Sequence, residues 1–334
     1  MNRNAPEPEP RVSIVVITAD RCADLRRCLR ELAAHLGQPG TPPAEVLTVH
    51  APGDDAAAAM VQSEFPWVAC HRAARRGIGH QRNVGARLAR GEVVTFLDDD
   101  AWPRAGWLAA IDAAFVDPVV VAASGPVVRG DGSRQFGRLA ASALGRIVPV
   151  PDGAPVPPRL APTFSGCNLS LRRRALLAAG GFDENLVYQP DDIDVCRRLF
   201  VAAGRSAAAF AYRDAISVHH ESSPGPYRRT LQDRAWFTVA RDTIYFGFRH
   251  AGTLRAALCA GPLQLPRLVR FVGWLVTGRL GPIAFVRCTA KLLAGIAAGY
   301  GKGLCRRPVL PLAAEPTPRP TTAAPAPRRA PQPV

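Results

Sequence analysis

The sequence is short of the features that mark several large protein classes. Its eight cysteines include no C-x-x-C pair and no histidine nearby at ligand spacing, which argues against a structural zinc or redox motif. Cys196 and Cys288 fall inside apolar runs, where a free thiol behaves as a small hydrophobe, so a thiol-keeping compartment is expected. The first ten residues carry Glu7, Glu9 and three prolines. They show neither the basic start nor the apolar core of a signal peptide, so they are read as a disordered lead and the chain as cytoplasmic. No charge-free apolar run reaches the roughly 20 residues of a membrane span. Arg279 and Pro282 part the two most apolar stretches, and Arg287 and Lys291 interrupt the second. No internal repeat is present.

Acidic residues nearly vanish from the last third of the chain. Residues 221–334 hold 17 Lys and Arg against 4 Asp and Glu, whereas residues 1–220 hold 25 against 23. The net charge of +15 is therefore carried by the C-terminal part. Nucleic acid is the first partner such a charge suggests, but the aromatic and basic interleaving of a strand-binding surface is missing. The basic part is rich instead in Leu, Val, Ile, Phe and Ala, which suits an anionic membrane surface, and no nucleic-acid partner is expected. On a helix, Arg287 and Lys291 share one face, with Ile283, Val286, Ala290 and Leu293 toward another. The alternative is a helix packed on the rest of the protein with a basic outer side.

What is present in the first half is a strand and helix alternation. Val12-Ser-Ile-Val-Val-Ile17 is a β-branched run of the kind buried on both faces of a parallel sheet. A helix follows over 23–35, with Leu25, Leu29, Leu32 and Leu36 on one stripe. Strands are expected at 45–49 and 68–71, a helix at 81–89 and a strand at 93–97. This order predicts an α/β fold with a doubly wound, mostly parallel sheet flanked by helices, whose ligands sit beyond the carboxyl ends of the strands. Farther on, a helix is expected at 107–115, a strand at 119–123, a Pro-rich loop at 149–162, helices at 172–179 and 191–203 and a strand at 211–218. A basic amphipathic helical extension over 236–305 and a disordered Pro and Ala-rich tail over 306–334 complete the chain.

The strand at 93–97 runs directly into Asp98-Asp99-Asp100. On extended backbone Asp98 and Asp100 share a face, and two close carboxylates are most simply reconciled by a divalent cation. Oxygen ligands suit Mg²⁺ or Mn²⁺. A solvated acidic turn is the plain alternative, and the position at the end of a buried strand favours a site. A second acidic group opens the helix at 191–203. Pro190 suits a helix start and carboxylates suit its first turn. The stripe Ile193, Cys196, Phe200 is expected to be buried, leaving Asp191, Asp192 and Asp194 on the exposed rim.

Together these segments resemble family 2 glycosyltransferases over about residues 11–245. The stretch from Gly77 to Pro103, with Arg82-Asn83, the Gly91-Glu92 turn, the strand and the D-x-D run, carries the resemblance. The first strand with Thr18, Asp20 and Arg21 adds to it, as does the order Gly166-Cys-Asn168, Arg172-Arg173, Gly180-Gly181-Phe-Asp-Glu184, then Asp191-Asp192-Ile-Asp194. The resemblance implies a GT-A-type catalytic domain over 11–235, with a nucleotide-binding half at 11–125 and an acceptor half at 126–235. It implies an inverting transfer from a UDP-, dTDP- or GDP-linked sugar to a glycan or lipid-linked acceptor, of the kind used in cell-envelope or polysaccharide synthesis. Asp192 would be the general base, and Asp100, Asp98 and His220, with His219 as alternate, would face a divalent cation. Thr18, Asp20, Arg21, Arg82, Asn83, Asp98 and Asp99 would border the nucleotide sugar, and Gly166, Asn168, Asp191 and Asp194 would support the acceptor side. A peripheral place on the cytoplasmic membrane face would fit such acceptors. His50 departs from the pattern, standing where the family usually has a base-reading aspartate, with Asp54 and Asp55 as neighbours that could replace it. A catalytically silent nucleotide or glycan-binding subunit of the same fold is the alternative.

Overall fold

The computed structural model describes residues 9–187, 190–223, 235–306 and 309–313. Of the segments expected to be disordered, 1–10 and 306–334, residues 1–8, 307–308 and 314–334 lie outside the described residues, as do 188–189 and 224–234 of the acceptor half.

The first half alternates as the sequence predicts: β1 (Val12–Thr18), α1 (Cys22–Ala33), β2 (Ala44–His50), α2 (Asp55–Glu64), β3 (Ala69–Arg72), α3 (Ile78–Leu88) and β4 (Val93–Asp98). Helix α2 was not expected, because its Ala-rich run has no strong apolar stripe. Its cap was legible, since the Asp54 carboxylate accepts from the Ala57 amide at 3.4 Å. Then follow β5 (Ala101–Pro103), α4 (Trp107–Ala114), β6 (Ala122–Ser124), β7 (Val127–Val128), β8 (Arg134–Phe136), β9 (Leu139–Ala141) and β10 (Ile147–Pro149). β11 (Ala161–Thr163), β12 (Asn168–Arg172), α5 (Arg173–Ala178), α6 (Asp191–Ala202), β13 (Phe210–Tyr212) and β14 (Val218–His220) end this part.

Seven strands form the main sheet in the order β13-β6-β12-β4-β1-β2-β3. β4, β1, β2 and β3 are parallel neighbours, and β12 enters antiparallel between β4 and β6. Alternation along β1 shows why the run had to be β-branched throughout. Val12, Ile14 and Val16 pack with Leu25, Leu29 and Leu32 of α1 and Trp107 of α4. Val15 and Ile17 pack on the other face with Ala86 of α3, Leu176 of α5 and Val195 and Leu199 of α6. Both faces are covered by helices, as a parallel sheet requires.

The single strand expected at 211–218 is two. β13 joins the main sheet, the chain turns back where the Ile216 amide donates to the Arg213 carbonyl at 3.0 Å, and β14 joins a second sheet in the order β5-β14-β7-β8. This break delivers His220 opposite Ala101, beside the end of the acidic run.

The C-terminal extension consists of α7 (Trp236–His250), α8 (Thr253–Cys259), α9 (Leu265–Val276) and α10 (Pro282–Leu304). It is tied to the rest: Tyr245 Oη donates to Asp183 at 2.8 Å, the Val187 amide donates to Asp242 at 2.9 Å, and Phe246 packs with Ile193 of α6. α10 lies on α7 through small residues at Gly295, Gly299 and Gly303, where a Cβ would strike the Phe237 carbonyl, Ile244 and Phe248. The packed alternative therefore holds for this face of α10. By length and composition α10 is long and apolar enough to cross a membrane, with a mean hydropathy of 1.3, although Arg287 and Lys291 lie within it. The tail is not wholly without structure either, because the Leu312 amide donates to the Leu177 carbonyl at 2.8 Å.

Gly85 marks where α3 meets β1, for a Cβ there would come within 2.3 Å of Val15 Cγ1. Gly85→Ala is expected to destabilise the fold by about 1–3 kcal/mol, the usual cost of overpacking, as read from the midpoint of urea unfolding at unchanged slope.

Candidate active site

The site lies at the carboxyl ends of β1 and β4, where the sheet ends and two acidic segments converge. β4 ends in Asp98, which is partly exposed, followed by Asp99 and Asp100, which are 0% and 3% exposed. Three carboxylates so close and so dry need positive partners. Arg21, just past β1, supplies one: its Nε donates to Asp99 Oδ2 at 3.1 Å and its Nη1 to Asp100 Oδ2 at 3.0 Å. Thr18 Oγ1 donates to Asp99 Oδ2 at 2.7 Å. Burial still pushes the Asp99 carboxyl up to about 8, against the pull of Arg21 and Thr18.

Asp100 behaves in the opposite way. Burial raises its pKa, but His220, Arg21 and the Ser223 amide outweigh burial and bring it down to about 2. His220 Nε2 lies 3.2 Å from Asp100 Oδ1, and neither atom has a hydrogen-bond partner among the described residues. On its other side His220 Nδ1 meets Gln135 Oε1 at 3.1 Å and Ser222 Oγ at 3.3 Å. Gln135 can accept from Nδ1–H, and Nε2 then faces Asp100, where it can donate to the carboxylate when protonated or serve as a cation ligand when neutral. His219, the neighbour on the strand, turns to the other face and stacks on Trp102 with ring centres 5.9 Å apart.

Ligand atoms of Asp98, Cys167 and His220 lie within 4.8 Å of one another. Burial and the charge of Asp98 hold the Cys167 thiol far above its ordinary pKa, so it stands there as a neutral thiol. The orphaned Asp100 Oδ1 and His220 Nε2, together with Asp98, make an oxygen and imidazole set that fits a hard divalent cation.

The second acidic segment comes to the same place through Arg82 of α3. This buried guanidinium donates from Nη1 to Asp191 Oδ2 at 2.7 Å and from Nη2 to Asp98 Oδ1 at 3.1 Å. Opposite charges on both sides raise its pKa although burial opposes this. Gly166 is required here, since a Cβ would come within 2.5 Å of Arg82 Nη2. Its amide donates to Asp192 Oδ2 at 3.0 Å, and the Ile193 amide donates to Asp192 Oδ1 at 2.8 Å. Burial, then the negative charge of Asp191, pushes the Asp192 carboxyl up to about 6. Asp192 remains partly exposed.

Several expected positions are supports rather than linings. Asp191 and Asp194 are buried, 6% and 0% exposed, not on a rim. The reason is that each meets basic partners: Arg82 for one, and for the other Arg198, Arg249 and the His250 ring, whose pKa burial lowers. Asn83 turns away from the acidic run: its amide donates to the Phe182 carbonyl and Glu184 at 2.9 Å each and its oxygen accepts from the Phe182 amide at 2.7 Å. Asn168 is fully buried, bonded to Trp107, Gly125 and Ile216. Thr18 and Asp99 sit beneath the mouth rather than in it. Asp20, at a left-handed φ of 58°, stands exposed and accepts from Arg76 at 2.9 Å. Asp54 uses both oxygens on the amides of Asp20 and Ala57, Asp55 is exposed, and His50 is buried with Nδ1 3.2 Å from the Ala51 carbonyl. The sequence reading missed Gln135, Cys167 and Gln81, whose side-chain amide bonds the carbonyls of Thr18 and Val49 and so stitches β1 to β2 at the mouth.

Residues 13–178, from β1 through α5, match the sequence profile of Glycosyl transferase family 2. This segment is similar to family 2 glycosyltransferase domains. The chain is 25% identical over 296 residues to the pre-mycofactocin glycosyltransferase of Mycobacterium tuberculosis strains CDC 1551 and H37Rv. That alignment covers 85% of this chain and 57% of the relative, so the chain spans little more than half the length of the proteins it matches. Among solved structures, the mannosyltransferase PcManGT from Pyrobaculum calidifontis, in complex with GDP-Man and Mn²⁺, is similar with a TM-score of 0.54 at 19% identity, over 90% of this chain and 89% of that one. GalNAc-T7 with UDP, GalNAc and Mn²⁺ has a TM-score of 0.50 at 14% identity, over 73% of this chain and 52% of that one. These likenesses establish the GT-A fold of the glycosyltransferase domain.

Removing Arg82 would leave the carboxylates of Asp98 and Asp191 facing each other unpaired. Arg82→Met is expected to lower folding stability by about 3–5 kcal/mol at pH 8, the usual cost of breaking a buried ion pair. The pKa of Asp191 is already raised, so without Arg82 the carboxyl takes up a proton as pH falls. The loss in urea unfolding should therefore be smaller at pH 5 than at pH 8.

Proposed function

We propose that this protein transfers a sugar from a nucleoside-diphosphate donor to an acceptor hydroxyl in one inverting displacement, with Asp192 as the general base. The observation that carries this reading is the bridge made by Arg82, which joins Asp98 to Asp191 and so brings the start of α6 to the acidic run. Asp192 has what a base needs. The residue is partly exposed, its carboxylate is oriented by the amides of Gly166 and Ile193, and its pKa of about 6 leaves it ionised at neutral pH yet ready to take a proton. A single carboxylate base beside the acceptor hydroxyl suits displacement with inversion.

Asp100, Asp98 and His220 would hold a divalent cation, Mn²⁺ or Mg²⁺, whose part when bound is to neutralise charge on the departing diphosphate. Arg21 and Arg82 each bridge two carboxylates and fix their direction. Arg76, paired with Asp20 at the exposed mouth, is the cation on the nucleotide side. Recognition of the base does not rest on Asp54, whose oxygens are both taken, so UDP-, dTDP- and GDP-linked sugars all belong in the first substrate panel. Lipid-linked glycans and pre-mycofactocin are the acceptors to pair with them.

The outer face of the extension supports peripheral attachment to an anionic leaflet. Leu265, Val269, Val272 and Val276 form an exposed stripe along α9, and Ile283, Val286 and Leu293 form another along α10. Residues 243–314 contain ten Lys and Arg and no Asp or Glu. Apolar stripes in a segment rich in basic residues match lipid headgroups above acyl chains.

Turnover should require added Mn²⁺ or Mg²⁺ and stop in EDTA. Asp192→Asn should lower kcat by about 10²–10⁴-fold, the usual contribution of a general base, with nucleotide binding retained. A base must be unprotonated to act, so kcat/KM should rise with pH through about 6 and level above it. Turnover at the wild-type rate in Asp192→Asn would defeat the assignment. For the membrane surface, the double variant Val269→Asp, Ile283→Asp changes only exposed residues. It should lose flotation with vesicles containing phosphatidylglycerol while keeping the unfolding midpoint, and unchanged flotation would refute the surface.

A further inference from the structure

The second half of α6, beyond the turn that carries Asp192, faces a cavity of 310 Å³ lined by Arg197, Arg198, Val201, Arg205, Arg249 and His250. No carboxylate lines it. Its size falls at the lower end of small-ligand sites, which run from about 300 to 1,000 Å³.

The cations around it differ in one respect that matters. Arg198 donates to Asp194 at 2.8 Å and to the Gly181 carbonyl at 2.6 Å. Arg249 lies 3.2 Å from Asp183 and 3.6 Å from Asp194, and His250 Nε2 is 2.8 Å from Asp194. These three are neutralised from behind by the same two aspartates. Arg197 is not. It is 6% exposed, its Nε has no hydrogen-bond partner, and no ion pair involves it among the described residues. Burial, then the positive charges of Arg205 and Arg255, pull its pKa down.

A buried Nε–H without a partner, on a guanidinium with no counter-charge, is costly, because most buried polar side-chain atoms are hydrogen-bonded. The negative end of a helix would account for a cation in the last turn, because that field fades within one turn. It accounts for Arg205, just past the end of α6, but not for Arg197 in the middle of the helix. Arg197 and Val201 are one turn apart on the same face, and Arg205 follows in a left-handed conformation with φ 63°. This turns the chain back at the rim of the cavity.

We propose that this cavity binds a phosphate or diphosphate group, with Arg197 donating from its floor and Arg205 from its rim. Planar guanidinium groups match phosphate oxygens two at a time. The site is separate from the acidic mouth: α6 itself and the buried Asp194 lie between them. An anion bound there would hold Arg198 and His250 against Asp194, two residues from Asp192.

The test uses the full chain in EDTA, so that binding at the carboxylates does not contribute, titrated with inorganic pyrophosphate by calorimetry and by thermal unfolding. Saturable binding with one equivalent and a rising Tm is expected. Arg197→Met should weaken it by about tenfold or more, the worth of one hydrogen bond to a charged group. Removal of an unpaired buried charge should leave the Tm without pyrophosphate equal or higher, which separates a lost site from a damaged fold. Arg205→Ala, at an exposed residue, should weaken binding in the same way. A parallel titration with soluble dioctanoyl phosphatidic acid distinguishes the source. If it binds and Arg197→Met abolishes this, the group arrives on a lipid; if pyrophosphate alone binds, it arrives on a soluble molecule. Equal affinity in the wild type and both variants, or no binding of either probe, would overturn the proposal.

Discussion

The structure around the mouth of this protein depends on keeping a group of carboxylates together against their own repulsion. Asp98, Asp99 and Asp100 leave the sheet as one run, and Asp191 and Asp192 open a helix directed at them. Left alone such a group would either take up protons or swing apart into water. Two arginines prevent both. Arg21 binds Asp99 and Asp100 from the β1 side, and Arg82 binds Asp98 and Asp191 from the α3 side. The result is a division of character among chemically identical side chains. Asp100 is held strongly acidic, Asp99 is pushed toward neutrality, and Asp192, partly exposed, is left near pH 6.

The rest of the architecture serves this arrangement. The glycines admit it: Gly166 leaves room for the Arg82 guanidinium, and Gly85 lets α3 sit low enough on β1 for that arginine to reach across. The second sheet serves it too, because the break before β14 brings His220 next to Asp100 and Gln135 behind His220. The C-terminal extension is connected to the same helix from the far side. His250 of α7 and Arg249 beside it meet Asp194, so α6 is gripped at its start by Arg82 and along its back by α7. A displacement of α7 at a membrane, or of the Arg197 cavity by an anion, would therefore bear on the helix that carries Asp192.

Legibility in the sequence followed the range of the interactions. The strands β1 and β4, the helices α1, α3 and α6 and the D-x-D run were readable because a β-branched run, an apolar stripe or a Pro190 start is written within a dozen residues. The resemblance to family 2 glycosyltransferases gathered those pieces into one domain. The roles of individual side chains were less readable. Asn83 and Asp98 stand on the same motif, yet one supports the 182–184 segment and the other opens to the mouth. Asp191 and Asp194 were expected on a rim, and are buried because cations from distant segments meet them there.

By itself, then, the sequence determined the doubly wound sheet, the place where its strands release the acidic run, and the basic and apolar character of the last third. These follow from hydrophobic period and local charge, which act over neighbouring residues. Only the tertiary structure decided which carboxylates are free. Asp191 meets an arginine 109 positions away, Asp100 one 79 positions away, and among the described residues Asp192 takes its hydrogen bonds from backbone amides. The protonation state of a carboxylate depends on the charges and the water within a few ångströms of it, and chain folding alone sets that neighbourhood.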